Sequence, residues 1–348
     1  MSLVSSFPGR KIISGDSEYL YFGGTAYLGL ATLPAFQDIF IKNMRKYGTG
    51  YAASRKANIR IDIYEQAENI LADLIGCQKA LSVSSGFLAG QLALQAFRGE
   101  EYAFFCTSDT HPALYHPAAS TAGTATQLLE EVRTFTSAYP EKKAVVLCDS
   151  ITITENLYEN NWYEQLPWSR TVFIADDSHG LGVMGPNGTG IYRKLKSIPF
   201  SELVVCGSLS KGFAVQAGAV FSSAGVIARL WDHPFFAGAS PASPAAMATF
   251  RDAIPLYEIQ RKKLTDHIRT FDNTFSSGDM FRHINGHPSY AYTQESLTRY
   301  LLDKGILTTA FHYPDVASPM VRRIVLSASH TEEDLAYLSA CLKNFLRS

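Results

Sequence analysis

The chain has 348 residues, of which 46% are hydrophobic and 18% are charged, and its formal net charge is -1. This length suffices for a large and a small domain, and the near-neutral charge gives no electrostatic reason to expect nucleic-acid binding. No apolar run has the length of a signal peptide or a membrane span, so we expect a cytoplasmic protein. The five cysteines form no CxxC pair, which favours reduced thiols over disulfides or a metal site.

The N-terminal part of the chain predicts an arm, a helix and a first strand. Turn signals around short apolar runs over residues 8–30 favour an extended arm with a short strand. Apolar residues recur at helical spacing over residues 63–76, and Lys79-Ala80-Leu81-Ser82-Val83 has the composition of a strand. Ser84-Ser85-Gly86-Phe87 then opens a second helix. Such a turn is either an anion site at a helix N-terminus or a plain connection.

A series of apolar runs predicts buried strands at Tyr102–Cys106, Ala144–Cys148, Thr171–Ala175, Leu203–Gly207 and Gly218–Ser222. Because these runs alternate with helical patterns, we expect an α/β fold with a mostly parallel central sheet. A break at Asp232-His233-Pro234 sets the predicted domains: an arm over 1–45 that packs with the small domain, a large domain over 46–235, and a small α+β domain over 236–348.

The C-terminal part predicts two clear helices. One long helix is expected from about residue 244 to 275. The last helix begins where Thr331 and Asp334 have the spacing of a capping box.

Two polar groups follow predicted buried strands. Lys211 lies in Ser208-Leu209-Ser210-Lys211-Gly212-Phe213, and Asp176 opens Asp176-Asp177-Ser178-His179-Gly180. A buried amine readily becomes a nucleophile, although a solvated loop lysine is the alternative. Carboxylates at the ends of parallel strands line ligand crevices. A lysine that binds an aldehyde and an aspartate that keeps a ring nitrogen protonated are the two groups that pyridoxal phosphate requires.

The stretch from Asp176 to Gly185 resembles the Asp-Glu-Ala-His-(small)-x-Gly-x-x-Gly signature of the α-oxoamine synthases, the family that includes 8-amino-7-oxononanoate synthase. Further matches occur in order along the chain: Tyr27-Leu28-Gly29-Leu30, Tyr47-Gly48-Thr49-Gly50, Ser54-Arg55, Ser84-Ser85-Gly86-Phe87, Asp109-Thr110-His111-Pro112-Ala113, Ser208 to Lys211, and Arg323-Ile324. The resemblance covers nearly the whole chain. It implies a fold-type I pyridoxal phosphate-dependent transferase, with a mostly parallel sheet in the large domain and a small α+β C-terminal domain.

The resemblance also implies catalytic roles. Lys211 forms a Schiff base with pyridoxal 5'-phosphate and later takes the substrate α-proton. Asp176 pairs with the pyridine nitrogen, and His179 donates to the ring 3-oxygen or its surroundings. His111 stacks on the pyridine ring, although a lone histidine after a strand is otherwise more often structural.

The cofactor phosphate is assigned by the same resemblance to Ser85, Gly86 and Phe87, together with Ser208. In the family, a Ser/Thr-rich stretch of the partner subunit adds another phosphate contact, and Ser240 is the nearest substitute in this chain. We therefore expect a homodimer with active sites at the interface.

Substrate binding is assigned to Arg323, which presents a fork for a carboxylate, and to Tyr27. Arg322 is adjacent, and strand alternation sends the two arginines to opposite faces, so the sequence leaves open which one faces the site. Two departures from the family concern this region. Ala26 replaces a common Asn, and residues 151–156 replace a Ser-Met-Asp-Gly segment, so that a hydroxyl contact depends on Thr152 or Thr154.

The leading hypothesis is a condensation of an amino acid with an acyl thioester, carried by coenzyme A or an acyl carrier protein. A pyridoxal phosphate-dependent aminotransferase is the alternative. A cofactor-binding regulator would need a DNA-binding module, for which the neutral chain has no spare residues. A metal hydrolase based on His283 and His287 is weaker, since Gly286 and Pro288 favour a turn over a helix.

Overall fold

The structure, a computed structural model, describes residues 3–152, 156–275, 280–313 and 316–347. Over these residues the strands are β1 (Lys11–Ser14), β2 (Ser17–Phe22), β3 (Lys79–Val83), β4 (Tyr102–Thr107), β5 (Ser120–Ala122), β6 (Lys143–Asp149), β7 (Thr171–Asp176), β8 (Glu202–Ser208), β9 (Gly218–Ser222), β10 (Arg282–His283), β11 (Ser289–Ala291), β12 (Ile306–His312) and β13 (Met320–Val325). The helices are α1 (Pro34–Tyr47), α2 (Ile63–Ile75), α3 (Gly86–Leu94), α4 (Ala125–Ala138), α5 (Tyr192–Leu195), α6 (Ala224–Asp232), α7 (Pro234–Gly238), α8 (Pro244–Asp252), α9 (Ile254–Thr274), α10 (Glu295–Asp303) and α11 (Glu332–Phe345). Within the described ranges, no helix combines the length and the apolar character needed to cross a bilayer.

The larger of two compact units comprises Asp38–Ile254. Its strands follow the order β3-β9-β8-β7-β6-β4-β5. Neighbouring strands from β8 to β5 are parallel, whereas β9 runs antiparallel to both β3 and β8. The predicted α/β fold with a mostly parallel sheet is therefore confirmed.

The central strands of this sheet are apolar between their ends, as expected where side chains cover both faces of a parallel sheet. All six residues of β7 are buried, and β6 and β8 are buried over most of their length. Their apolar side chains form one core cluster with residues of α3 and α6, including Val145, Ile174, Val204, Leu92 and Leu230. This packing holds the carboxyl ends of the three strands in fixed positions.

The smaller unit joins Met1–Gln37 to Pro255–Ser348. Its strands follow the order β1-β2-β12-β13-β11-β10. β2 lies parallel to β12, and the other neighbouring pairs are antiparallel. The predicted capping box at the start of α11 is confirmed: the Thr331 hydroxyl accepts from the Asp334 N–H, and the Asp334 carboxylate accepts from the Thr331 N–H.

The unit boundaries differ from those that the sequence suggests. They lie after Gln37 and after Ile254, rather than after residues 45 and 235. The second boundary falls after α8 because this helix is buried over most of its length and packs against α2 in the larger unit. The single helix expected over 244–275 is also wrong, because Ala253, at φ -94° and ψ 7°, leaves the helical conformation between α8 and α9.

Candidate active site

Three strands of the larger unit bring polar residues to one edge of its sheet. β6 ends at Asp149, β7 at Asp176 and β8 at Ser208. Asp149 is the register partner of Asp176, and Asp176 also pairs with Cys206 two residues before Ser208. Because parallel strands end at the same edge, these side chains surround one region of the larger unit.

Lys211 lies in the turn that follows β8. Its Nζ is 3.1 Å from Nε2 of His179, in the loop that follows β7, and both side chains are half-buried. The two loops pack closely at Gly212, where a Cβ would lie only 2.1 Å from the carbonyl oxygen of Leu181. The turn that carries the amine is therefore held by backbone packing against the His179 loop.

His111 lies within electrostatic range of both this amine and Asp176. Asp176 is only 6% exposed, and its Oδ1 accepts from the Ser178 N–H at 2.8 Å. Nδ1 of His111 accepts from the Ala113 N–H at 3.0 Å, which leaves Nε2 as the protonated nitrogen of the neutral ring. Burial lowers the pKa of His111, the Asp176 charge opposes this effect, and the Lys211 charge adds to it.

An anion cradle lies beside these groups. Ser85 is the N-cap of α3, and its Oγ accepts from the Leu88 N–H at 3.1 Å. The amides of Gly86 and Phe87 belong to the first turn of α3, where N–H groups have no intrahelical partner. A Cβ at Gly86 would lie 2.7 Å from the backbone nitrogen of Ser208, so the helix N-terminus abuts the end of β8. Backbone N–H groups and hydroxyls thus converge on one small region.

Two of the predicted phosphate ligands are less constrained. The Phe87 side chain is 53% exposed, which agrees with a role for its amide rather than its ring. Ser240 is exposed in the segment that follows α7. Its contact with a cofactor stays a prediction.

Arg323 and Tyr27 belong to the smaller unit. Nη2 of Arg322 lies 3.8 Å from Oε2 of Glu295 on α10, so the next residue of β13 points to the opposite face. Nε of Arg323 is buried and has no hydrogen-bond partner among the described residues. Tyr27 lies within electrostatic range of Arg323. Burial raises the pKa of Tyr27, and the Arg323 charge opposes this effect.

The geometry separates the two adjacent arginines, which the sequence could not do. Arg322 has a carboxylate partner on its own unit's surface helix, whereas Arg323 presents a guanidinium nitrogen without one. A buried N–H donor without a partner costs free energy, and an acceptor atom of a bound ligand would remove that cost. Arg323 is therefore the better candidate for a substrate carboxylate.

Sequence reasoning missed a buried network around Asp177. The carboxylate accepts from the hydroxyls of Ser150 and Tyr158 and, at 2.8 Å, from the Ile191 N–H. Burial raises the pKa of Asp177 to about 7, against the effect of these hydrogen bonds. The network ties both ends of the 150–158 segment to the residue after Asp176. The sequence signal was the second carboxylate of the Asp176-Asp177 pair.

Sequence reasoning also missed Asp149. Its Oδ2 accepts from the backbone N–H of His111 at 3.1 Å, and its Oδ1 is buried without a hydrogen-bond partner among the described residues. Its position at the end of a strand beside β7 was the available signal. The departing segment 151–156 begins two residues later; Thr152 is described, and Thr154 lies outside the described residues.

The residues of the larger unit suit pyridoxal phosphate. The α3 N-terminus and Ser208 form a cradle for an anion, and the close packing at Gly86 leaves no room for a side chain there. A buried carboxylate, an amine and an imidazole with a fixed ring nitrogen adjoin this cradle at the same sheet edge. This donor set matches a phosphate, an aldehyde and a protonated pyridine ring.

The remaining histidines of interest have other contacts. His283 stacks on Tyr290 with ring centroids 4.2 Å apart, and its Nε2 lies 3.5 Å from Oδ1 of Asp272. His287 packs edge-on against Tyr27 at 5.3 Å. Within the described residues, no group of three or more His, Cys, Asp or Glu side chains could hold a metal ion.

Comparison with known proteins identifies the family of this chain. The family model for aminotransferase class I and II matches residues 18–342. Serine palmitoyltransferase of Bacteriovorax stolpii is 27% identical over 341 residues, which cover 92% of this chain and 80% of that protein. For 8-amino-7-oxononanoate synthase of Mycolicibacterium vanbaalenii the identity is 26% over 336 residues, covering 92% and 88%. The solved serine palmitoyltransferase of Sphingomonas wittichii shares the fold, with a TM-score of 0.78 at 16% identity over 99% of this chain and 91% of that one.

The matched region of the family model extends from β2 to α11 and includes every residue assigned above to the cofactor. The two relatives bear names of α-oxoamine synthases, and their likeness covers more than nine-tenths of this chain. The protein belongs to the aminotransferase class I and II family and, within it, is a pyridoxal phosphate-dependent transferase of the α-oxoamine synthase family.

Proposed function

We propose that this protein condenses an amino acid with an acyl thioester. The observation that carries the proposal is the group of side chains at the carboxyl edge of the larger sheet, where Lys211 Nζ lies 3.1 Å from His179 Nε2, with His111 in electrostatic range of both Lys211 and Asp176. Relatives named serine palmitoyltransferase and 8-amino-7-oxononanoate synthase support condensation over transamination.

The catalytic roles follow from the chemistry of these groups. Bound pyridoxal phosphate supplies a ring that withdraws electrons from the substrate α-carbon. Asp176 would keep the pyridine nitrogen protonated, and His111 would pack against the ring. Lys211 would hold the cofactor aldehyde and would take up the substrate α-proton at Nζ, a general-base task that positioned amines perform. His179 orients the Lys211 amine through its 3.1 Å contact.

The cofactor phosphate is held by the cradle at the α3 N-terminus. Ser85, Gly86 and Phe87 offer backbone N–H groups, and Ser208 offers a hydroxyl at the adjoining strand end. Free N–H groups and the helix dipole both favour a dianion there. Such a contact would anchor the cofactor through its phosphate.

Arg323 binds the carboxylate of the amino acid, with Tyr27 packed beside it. The buried Arg323 Nε without a partner supports this role, because a bidentate carboxylate would satisfy it. Ala26 has no side-chain polar group at the position where the family commonly has Asn. We therefore infer that carboxylate recognition depends on Arg323 more than it does in relatives that retain the Asn.

The acyl donor is an acyl-coenzyme A or an acyl carrier protein. The altered 151–156 segment is held at both ends, since the Leu157 N–H donates to Ser150 O at 2.8 Å and Ile151 pairs with Asn156. The thiol-release assay described below identifies the amino acid and the acyl chain.

We further propose a cytoplasmic homodimer with active sites at the interface, in which Ser240 of each subunit contacts the phosphate of the other subunit's cofactor. The 47–55 loop is the candidate cross-subunit element. Its far end is anchored within its own chain, since Arg55 pairs with Glu68 at 2.8 Å and Ser54 Oγ donates to Ala237 O at 2.8 Å. Light scattering tests the dimer, and a fully active monomer would contradict it.

The test of function is a coupled assay of free thiol release from a series of acyl thioesters in the presence of each amino acid. Condensation predicts thiol release that requires both substrates, and mass spectrometry should find the joined product. Transamination predicts keto acid and stoichiometric pyridoxamine phosphate from the amino acid alone, with no thiol release. That second result would replace the condensing function with the aminotransferase alternative.

A further inference from the structure

We propose that Asp149 is a positioning residue of the active site, which carries a proton at Oδ1 and holds the His111 loop through Oδ2. Its neutrality leaves Asp176 as the sole anion between these two strand ends. The proposal rests on pyridoxal phosphate binding at this edge but not on which reaction the protein catalyses.

The first argument is the register of the sheet. Asp149 and Asp176 are direct partners at the ends of the parallel strands β6 and β7, so their side chains leave the same face of the sheet side by side. Two carboxylates on neighbouring strands repel each other where water is largely excluded, and the usual outcome is that one of them retains its proton. The cofactor needs an anion at only one of the two positions.

The second argument is the pattern of hydrogen bonds at Asp149. Oδ2 accepts from the His111 N–H at 3.1 Å, which a carboxyl C=O can do as well as a carboxylate. Oδ1 is buried and has no hydrogen-bond partner in the described part of the chain. An ionised Oδ1 in that position would lack any donor, whereas a neutral O–H there costs far less. The proton is therefore assigned to Oδ1.

The charged groups around Asp149 favour the same state. Burial raises its pKa well above the ordinary value, and the negative charges of Asp176 and Asp109 add to this effect. The hydrogen bond from His111 and the positive charge of Lys211 oppose it. Burial and the two negative charges outweigh the His111 hydrogen bond and the Lys211 charge, so the protonated acid is favoured.

The consequence for the site concerns the ring of His111. Its position has two anchors, the Asp149 contact to its backbone N–H and the Ala113 N–H contact to its Nδ1. Both must hold for the imidazole to cover the cofactor ring from a fixed direction. Asp149 thus affects the cofactor in two ways: it holds the His111 loop, and, being neutral, it adds no second negative charge beside Asp176.

Two variants separate the neutral acid from an anion. Asp149→Asn keeps the shape, the neutrality and a carbonyl that can accept from His111, whereas Asp149→Ala removes the acceptor. We expect the cofactor dissociation constant of Asp149→Asn to stay within about twofold of that of the unsubstituted protein. Loss of the hydrogen bond in Asp149→Ala should raise it about tenfold and shift the visible band of the bound cofactor. Asp232→Asn, which removes a carboxylate that is 78% exposed, is the matched control.

The protonation state has a direct readout in infrared spectroscopy of the cofactor-loaded protein at about pH 8, where Asp177, with a pKa of about 7, is largely ionised. We expect a carboxylic acid C=O band that Asp149→Asn removes and Asp232→Asn leaves in place. Absence of that band, or a cofactor affinity as weak in Asp149→Asn as in Asp149→Ala, would overturn the proposal. Neither readout depends on condensation, so the reaction assigned above can fail independently.

Discussion

Lys211 Nζ and His179 Nε2 lie 3.1 Å apart, although the two residues come from loops that follow different strands. Two protonated groups cannot share this contact, so at least one of them is neutral. The pair therefore places a potential proton acceptor directly beside the amine that we propose as the ligand of the cofactor aldehyde.

Replacement of Lys211 by Ala should abolish covalent retention of the cofactor. We expect no cofactor to remain with the protein after borohydride reduction and gel filtration in denaturant, and a fall in turnover of about a thousandfold, since the general base is also lost. The control is Lys196→Ala, because Lys196 is another lysine of the larger unit that donates a hydrogen bond, to Gly76 O at 3.0 Å. Full cofactor retention in Lys211→Ala would disprove the assignment.

Asp176→Asn should leave the fold intact and slow the reaction by about a hundredfold or more, because an amide cannot hold a proton at the ring nitrogen by charge. Absorbance titration should also show weaker cofactor binding. Asp232→Asn, which alters only an exposed ion pair with Lys56, provides the matched control. Equal rates in the two variants would remove Asp176 from the mechanism.

Arg323 and Arg322 form a natural matched pair. Arg323→Lys replaces a planar fork by a point charge, and we expect the KM for the amino acid to rise by about tenfold or more with little change in that for the acyl thioester. Arg322→Lys should leave both values nearly unchanged, since Arg322 faces Glu295. The reverse pattern in steady-state kinetics would show that Arg322 is the ligand.

His330 should make the protein acid-sensitive. Its ring is buried against Phe22 and donates from Nε2 to Tyr21 O, and burial lowers the pKa of His330 to about 4. An unfolded histidine binds a proton near its ordinary pKa of about 6.5, so the unfolded state gains stability first on acidification. The free energy of unfolding should therefore fall between pH 6.5 and 4, by on the order of 3 kcal/mol from this residue alone.

Urea denaturation at a series of pH values measures that slope, and His330→Asn is the test variant. It should be less stable near neutral pH, because the stacked ring is lost, but its stability should depend less on pH over the same range. If NMR of the folded protein shows the assigned His330 resonance titrating near the ordinary histidine pKa, the prediction is wrong.

Breaking the buried Arg55–Glu68 ion pair should lower the free energy of unfolding more than replacing both residues by apolar ones. Arg55 and Glu68 have side chains that are only 7% and 11% exposed, and Arg55 lies over the ring of Tyr64 at 4.1 Å. Glu68→Gln leaves a buried guanidinium without its counter-charge and should lower the free energy of unfolding by about 3 to 5 kcal/mol. The double variant Arg55→Met with Glu68→Leu removes both charges and should lose less, about 1 to 3 kcal/mol, because the buried Ser82 N–H and hydroxyl lose their Glu68 acceptor. The same denaturation experiment measures both losses.

Much of the fold was predictable because its signals are local. The buried runs at Thr171–Ala175 and Leu203–Gly207 carry the apolar pattern of central strands, and Thr331 and Asp334 carry the spacing of a cap. The break at Ala253 was not predictable, because the helical pattern continues on both sides of it. The assignment of α8 to the larger unit depends on its packing against α2, a long-range contact without a local pattern.

The sequence by itself determined the cofactor chemistry of this protein, because the order of Lys211, Asp176 and His179 along the chain and their places after buried strands are local features. Only the tertiary structure decided which arginine lacks a carboxylate partner and that Asp149 lies beside Asp176 with one oxygen unpaired. Those facts depend on strand register and on the neighbours that each face of a strand meets. Register and burial arise from contacts between residues distant in the chain, so no stretch of sequence contains them.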